Sequence, residues 1–462
     1  METKCSDWAA VTCEFSIQLL GKHGYLLQIK SIKRSRLWIA VFFGFLLLLS
    51  TDSLGYSVLT HEQVVDFVWD SHIKKILLER YPNATEDDLR HAHAYAYGGC
   101  LIQDMGYYPH GNKFFTDLLH YVRSGDFVAA LIHDAQDLNE LAFALGALSH
   151  YASDTTGHPA VNAAVALEFP KLRAKYGDHV TYAQDPKAHI RIEFGFDVLQ
   201  VAKQRYSSQA YHDFIGFEVA KTLLERTFFK IYGLELRQIF PDEEKTIGSY
   251  RRSISIWIPR LTEVALITKK SELEKLPNFS PRRFRYLLTR TEYEKNWGTS
   301  YIHPSRLAKF LAVMVKLLPK VGPLKALDIK PPTPQTEAMY IKSVEDTVNN
   351  YRAWLIKAEQ NGLKLADDDL DTGSPTEPGE YMLSDKTYAK LLQALAQNNF
   401  AQMSPELRAN ILSFYADLNR PFETKKHKAD WQKTLQALDA LKNTSVAASL
   451  GRMVEKAKNS SQ

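Results

Sequence analysis

The chain reads as an all-α protein, a multi-helical body followed by an additional C-terminal helical region. From Thr60 onward apolar residues recur three and four positions apart, and few stretches alternate with period two. The 462 residues are 45 % hydrophobic with 23 Tyr and 23 Phe, enough for a large core. Helix-boundary residues sit where that periodicity begins. The net charge of +4 and the lack of a long Lys/Arg block argue against a nucleic-acid-tracking surface. Three cysteines, Cys5, Cys13 and Cys100, cannot build a disulfide framework.

The first element is expected to be an export signal. Lys30, Lys33, Arg34 and Arg36 precede the apolar run Leu37 to Leu49, which is too short to span a bilayer. Thr51-Asp52-Ser53 then provides a small-x-small cleavage site, so residues 1–53 are expected to be removed, leaving Leu54 first. The expected destination is periplasmic or secreted; the other reading is an uncleaved anchor or a buried core helix. Next, Thr60 is expected to cap a helix starting at His61-Glu62-Gln63 and continuing through Val64, Val65, Phe67 and Val68. Two further helices are expected over roughly 137–154 and 187–204. Ser253-Ile-Ser-Ile-Trp-Ile258 has the alternation of a strand but no evident partner. Pro331–Pro334 and Asp371–Gly379 are rich in turn residues and divide a main helical domain, 54–330, from a C-terminal region, 335–462. That region contains amphipathic stretches and no chemical signal. Asp367, Asp369 and Asp371 suggest a calcium loop, but Thr372 and Pro378 occupy the positions that need Gly and Glu, so a solvated acidic loop is expected.

Eleven of the 15 histidines lie between His61 and His189. Residues four apart share a helix face, so His150-x-x-x-Asp154 and His189-x-x-x-Glu193 each aim an imidazole and a carboxylate at one point. One such pair is more often a surface hydrogen bond than a ligand pair, but two in one region favour a metal. The first ends the apolar run Leu141–Leu148, where unsatisfied polar groups are costly. His158, before Pro159, is expected on a turn just past the helix end. Asp104 lies in a Gly- and Tyr-rich loop, His120 closes Phe114-Phe-Thr-Asp-Leu-Leu-His120, and His61 opens the first helix. His110 competes with His120 because it shares the loop of Asp104; the place of His120 after the Phe-rich turn favours it. His91 and His93 point to different faces and suit packing better than ligation. Tyr95, Tyr97, Tyr107 and Tyr108 suit a core or a cation-binding pocket equally.

In order and chemistry, His61, Asp104, His120, His150-x-x-x-Asp154, His158 and His189-x-x-x-Glu193 resemble the zinc-dependent phospholipase C family, most closely in Leu145-Gly-Ala-Leu-Ser-His-Tyr-Ala-Ser-Asp-Thr-Thr-Gly-His-Pro159. The resemblance covers about 54–200. It implies an all-helical domain of the phospholipase C and P1-nuclease type, with three zinc ions in a cleft. His120, His150, Asp154 and Asp104 would hold one ion; His158, His189 and Glu193 a second. A third would take His61, the amino group and carbonyl of the mature first residue, and Asp154 as a bridge. The family usually has Trp at that first position, where this chain has Leu54.

Clustered zinc suits phosphodiester hydrolysis, because it neutralises phosphate oxygens and lowers the pKa of a water. Asp104 is the candidate to orient or deprotonate that water. The expected substrate is a phospholipid, met at a membrane surface, with diacylglycerol and a phosphorylated head group as products. A trinuclear-zinc nuclease or 3′-nucleotidase is the rival enzyme, commonly disulfide-bonded, whereas the mature chain would keep only Cys100. A non-catalytic, metal-stabilised envelope protein that binds a partner through the C-terminal helices is the rival from another class.

Overall fold

The computed structural model describes residues 58–203, 216–258, 261–262, 265, 329–360 and 362–444. The expected signal, 1–53, and Leu54 lie outside the described residues. Fifteen α-helices are described, in chain order α1 (Val58–Val68), α2 (Lys74–Arg80), α3 (Glu86–Gly99), α4 (Lys113–Tyr121), α5 (Ser124–Asp134), α6 (Leu138–Glu168), α7 (Pro170–Tyr176) and α8 (Pro186–Ala202). There follow α9 (Lys221–Tyr232), α10 (Leu236–Ile239), α11 (Glu243–Arg252), α12 (Pro334–Glu359), α13 (Met382–Gln397), α14 (Pro405–Phe414) and α15 (Lys428–Asn443). The only sheet among the described residues is a hairpin, β1 (Asp368–Asp369) antiparallel to β2 (Ser374–Pro375), with Asp368 opposite Pro375. No helix among the described residues is long and apolar enough to cross a membrane.

The longest helix, α6, is the axis of the body. Asp137 starts it by accepting the Glu140 N–H at 2.8 Å. Its first half is apolar on all sides because α3, α5 and α12 pack around it. Helices α3 and α6 cross with their backbones in contact. A Cβ on Gly99 would stand 1.9 Å from the Phe143 carbonyl oxygen, and one on Gly146 2.1 Å from that of Ala96. This crossing sets the Cys100 carbonyl beside the His150 ring. The main core runs from Val58 through Tyr351 to Leu441, so the C-terminal helices share it. A smaller cluster joins the far end of α6 to α8 and α12 through Val161, Val165, Ile192, Phe196 and Tyr340.

Four local expectations are corrected. Thr60 lies inside the first turn of α1 and is no cap. Its hydroxyl donates to Asp197 Oδ1 at 2.7 Å, while Asp197 Oδ2 accepts the Leu59 N–H at 2.9 Å. The acceptor for the helix start thus comes from α8, where it also meets the positive end of the α1 dipole. Second, α6 continues past Asp154 to Glu168, through Gly157 and Pro159, so His158 is a helical residue rather than a turn residue. Third, Ser253–Trp257 is a π-helical turn extending α11, with Ile254 buried and Ile256 exposed. Fourth, the acidic segment is not a solvated loop: Asp369 and Asp371 are each 2 % exposed.

Candidate metal centre

Helix α6 supplies three groups on one stripe, His150, Asp154 and His158, each four residues after the last. Helix α8 crosses it and supplies His189 and Glu193 from successive turns, with Asp197 one turn further on. His61 comes from α1 and His120 from α4. Asp104 sits on a 3₁₀ turn, Ile102–Tyr107, that is held to α4 by the Gly106 N–H donating to Thr116 Oγ1 at 3.0 Å. All nine side chains are buried, none more than 2 % exposed. His61 Nε2 lies 3.5 Å from Asp154 Oδ1, and His120 Nε2 lies 3.5 Å from Asp104 Oδ1 and 3.4 Å from Asp154 Oδ2. His150 Nε2 stands 3.0 Å from Asp154 Oδ2, and the rings of His61 and His150 stack at 4.4 Å. His158 Nε2 is 3.8 Å from both Asp154 Oδ1 and Glu193 Oε1, and His189 Nδ1 is 2.6 Å from Glu193 Oε1. Donor atoms of His120, His150 and Asp154, and of His61, Asp104 and His150, converge closely enough to share an ion.

The outer ring nitrogens fix which atom each imidazole presents. His150 Nδ1 donates to the Cys100 carbonyl and His120 Nδ1 to the Thr116 carbonyl, both at 2.9 Å. A carbonyl only accepts, so in the neutral rings Nε2 keeps its lone pair and aims it inward, the form that ligates a metal. In His189 the roles are reversed: Nε2 donates to Asn162 Oδ1 at 2.8 Å, which leaves Nδ1 facing Glu193. The orientation of Asn162 follows from its Nδ2, which donates to the Asp371 carbonyl at 2.9 Å.

Burial drives most of these groups toward their neutral forms. It pushes Asp104 up to about 6 and Glu193 well above the carboxylate range, and takes His189 down to about 4. Burial, with the neighbouring His150, also holds His61 well below the usual imidazole range. His120 and His150 go the other way: burial opposes their charge, but contact with Asp154 and the carboxylates of Asp104 and Asp154 carry His120 up to about 9, and Asp154 and Asp104 raise His150 as well. Asp154, surrounded by His150, His158 and His120, is held well down despite its burial.

The fit to a metal rests on the unpaired atoms. Both carboxylate oxygens of Asp104, Asp154 and Glu193, with the Nε2 atoms of His150 and His158, are buried without a hydrogen bond. Groups of this kind are normally paired. Nitrogen and oxygen donors at this density suit zinc, and a divalent cation would satisfy them together.

The remaining histidines lie elsewhere. His110 is exposed, with a positive φ of 66°, and only its carbonyl bonds, to Thr246. His93 is buried in a separate network, stacked on Trp69 at 3.7 Å and 2.9 Å from Asp66 Oδ1. Tyr107 and Tyr182 flank His120 and His189, with the Lys113 ammonium over both rings, whereas Tyr108 packs on Tyr250. Sequence reasoning missed two residues here. Asn162 continues the stripe of α6 one turn beyond His158, a spacing that points to it directly. Asp371 carries no such signal, because it arrives from a hairpin more than two hundred positions away.

Residues 60–241 match the family of zinc dependent phospholipase C. The match spans less than half of the chain, contains every described ligand candidate from His61 to Glu193, and ends well before the hairpin. No curated protein and no solved structure matches the chain. The described part of the matched segment is helical, and the match makes that segment similar to a zinc dependent phospholipase C.

Proposed function

We propose that the chain is an exported enzyme that hydrolyses phospholipids at a membrane surface to diacylglycerol and a phosphorylated head group, using three zinc ions. The observation supporting this most directly is the convergence of five histidines and three carboxylates from five elements into one buried cluster full of unpaired donor atoms. His120, His150, Asp154 and Asp104 would hold one ion, and His158, His189 and Glu193 another. His61 and Asp154 would hold a third with the amino group and carbonyl of Leu54, so that signal cleavage completes the site.

Zinc, when bound, supplies Lewis acidity toward the phosphoryl oxygens and makes water acidic enough to attack near neutral pH. The chain's own groups do the rest. Cys100 and Thr116 lock the rings of His150 and His120 so that Nε2 faces the reaction space. Asp104, buried and free of hydrogen bonds at both oxygens, takes the proton of the attacking water. The walls of α4, α6 and α8 exclude bulk solvent and strengthen each of these interactions.

The test combines metal analysis of the processed chain with release of phosphocholine and diacylglycerol from phosphatidylcholine vesicles. About three zinc per chain, with Leu54 first and both products formed, supports the proposal. Hydrolysis of 3′-nucleotides in place of vesicles would favour the nuclease alternative, and a folded, processed chain without zinc would overturn the proposal.

A further inference from the structure

Outside the matched family segment, the hairpin of β1 and β2 presses its tip, Leu370–Gly373, against the ligand-bearing helices. We infer that Asp371 is the positioning residue of His158, holding its ring so that Nε2 faces the metal, and that the hairpin tip forms the outer wall of the metal centre. The inference rests on reading the buried cluster as a zinc centre.

Asp371 Oδ1 lies 3.5 Å from His158 Nδ1, on the side of the ring opposite Asp154 and Glu193. That nitrogen is buried and has no hydrogen-bond partner. Asp371 is itself fixed, because its Oδ2 accepts the hydroxyls of Tyr121 at 2.7 Å and Tyr381 at 2.5 Å. The backbone of the same tip reaches two more ligand residues. The Leu370 N–H donates to the His120 carbonyl at 3.1 Å, and the Asp371 carbonyl accepts from Asn162, which in turn accepts from His189. One short turn thus touches the supports of three histidines carried on three helices.

The turn is held from within. Asp369 Oδ1 accepts the N–H groups of Asp371 and Thr372 at 2.9 and 3.2 Å, and its Oδ2 accepts the Ser384 hydroxyl. A carboxylate on the outer nitrogen of a ligand histidine selects the tautomer and raises the basicity of the inner nitrogen, and its loss typically weakens metal binding by about 10–100-fold. His150 and His120 have carbonyls in that place and His189 an amide oxygen. Of these four, His158 has the one carboxylate.

The experiment strips the full chain of metal and titrates it with zinc against a competing chelator, and with cobalt followed by visible absorption. In Asp371→Asn, which keeps the size of the side chain, one bound equivalent is expected to weaken by about 10–100-fold with a changed cobalt spectrum. In a His158→Ala background the same substitution is expected to add no further loss. Zinc affinity and cobalt spectrum within twofold of wild type would overturn the inference, as would an equal loss in the His158→Ala background. If stripped Asp371→Asn does not fold, Tyr381→Phe takes its place, with an expected loss of about 2–5-fold from one removed hydrogen bond; unchanged affinity there overturns the inference. Absence of zinc binding in the wild type would instead overturn the metal reading on which the inference stands.

Discussion

Two walls of the metal centre are built on opposite principles. The α6 wall carries His150, Asp154 and His158 at a constant spacing, so helical geometry alone aligns them, and its apolar surroundings hold the backbone rigid. The hairpin wall carries one side chain, Asp371, on a turn that helix and sheet pairing barely support, and it is held by side-chain hydrogen bonds from Tyr121, Tyr381, Ser384 and Asn162. A side chain on a long helix is positioned by its register. One on a turn depends on every partner that pins the turn.

The largest expected effect tests the helix-borne ligands. His150→Ala and Glu193→Ala should each lose bound zinc and lower vesicle hydrolysis on the order of 10²–10³-fold, read by metal analysis and phosphocholine release. Unchanged metal content and melting temperature in both would break the comparison at its base.

Gly373→Ala tests the hairpin without altering a ligand. Gly373 has a φ of 66°, and a Cβ there would meet the Thr155 carbonyl oxygen at 2.2 Å. Backbone strain alone costs roughly 1–3 kcal/mol, and the clash displaces the tip. The melting temperature should fall by several degrees, and zinc affinity should fall with it. Loss of stability at constant affinity would separate the hairpin from the centre.

A third test concerns charge. In the metal-free chain Asp104 is raised from the ordinary 3.8 to about 6 by burial. The folded state therefore holds that proton more tightly than the unfolded chain does. The resulting stability is complete below about pH 4 and is lost as the pH rises through about 6. Asp104→Asn should thus raise the melting temperature of chelator-treated protein by a few degrees at pH 7 and leave it unchanged near pH 4. With zinc present the order should invert, because a ligand has been removed. A variant less stable than wild type in chelator at pH 7 would refute the electrostatic account.

The smallest effect is expected at His110→Ala, within about 0.5 kcal/mol and twofold in activity, since the side chain is exposed and away from the cluster. The contrast with His120→Ala, measured in one assay, sharpens the assignment of the α4 ligand.

What was legible in the sequence follows the same division. The all-α class and the two pairs four residues apart could be read because periodicity is a property of neighbours in the chain. His158 was misplaced because Gly157 and Pro159 signal a helix end, whereas tertiary packing against α12 and the hairpin carries α6 through them. Thr60 has the chemistry of a cap, but Asp197 from α8 performs that role, a partner no local pattern announces. The aspartates of 367–371 read as solvated charge, since the burial of Asp371 depends in part on Tyr121, 250 positions away, and is invisible until the chain has folded.

Pro159 has a consequence for how the molecule comes into being. Lacking an N–H, it leaves the Thr155 carbonyl without its usual helical donor, and this is the spot where Gly373 presses in. That contact, like the one from Asn162 to Asp371, joins residues about two hundred positions apart. At about 5–20 residues per second, synthesis of the intervening 209 residues takes on the order of ten to forty seconds. For that interval the ligand-bearing segments have been made without their outer wall, so the centre can close only after the hairpin has emerged.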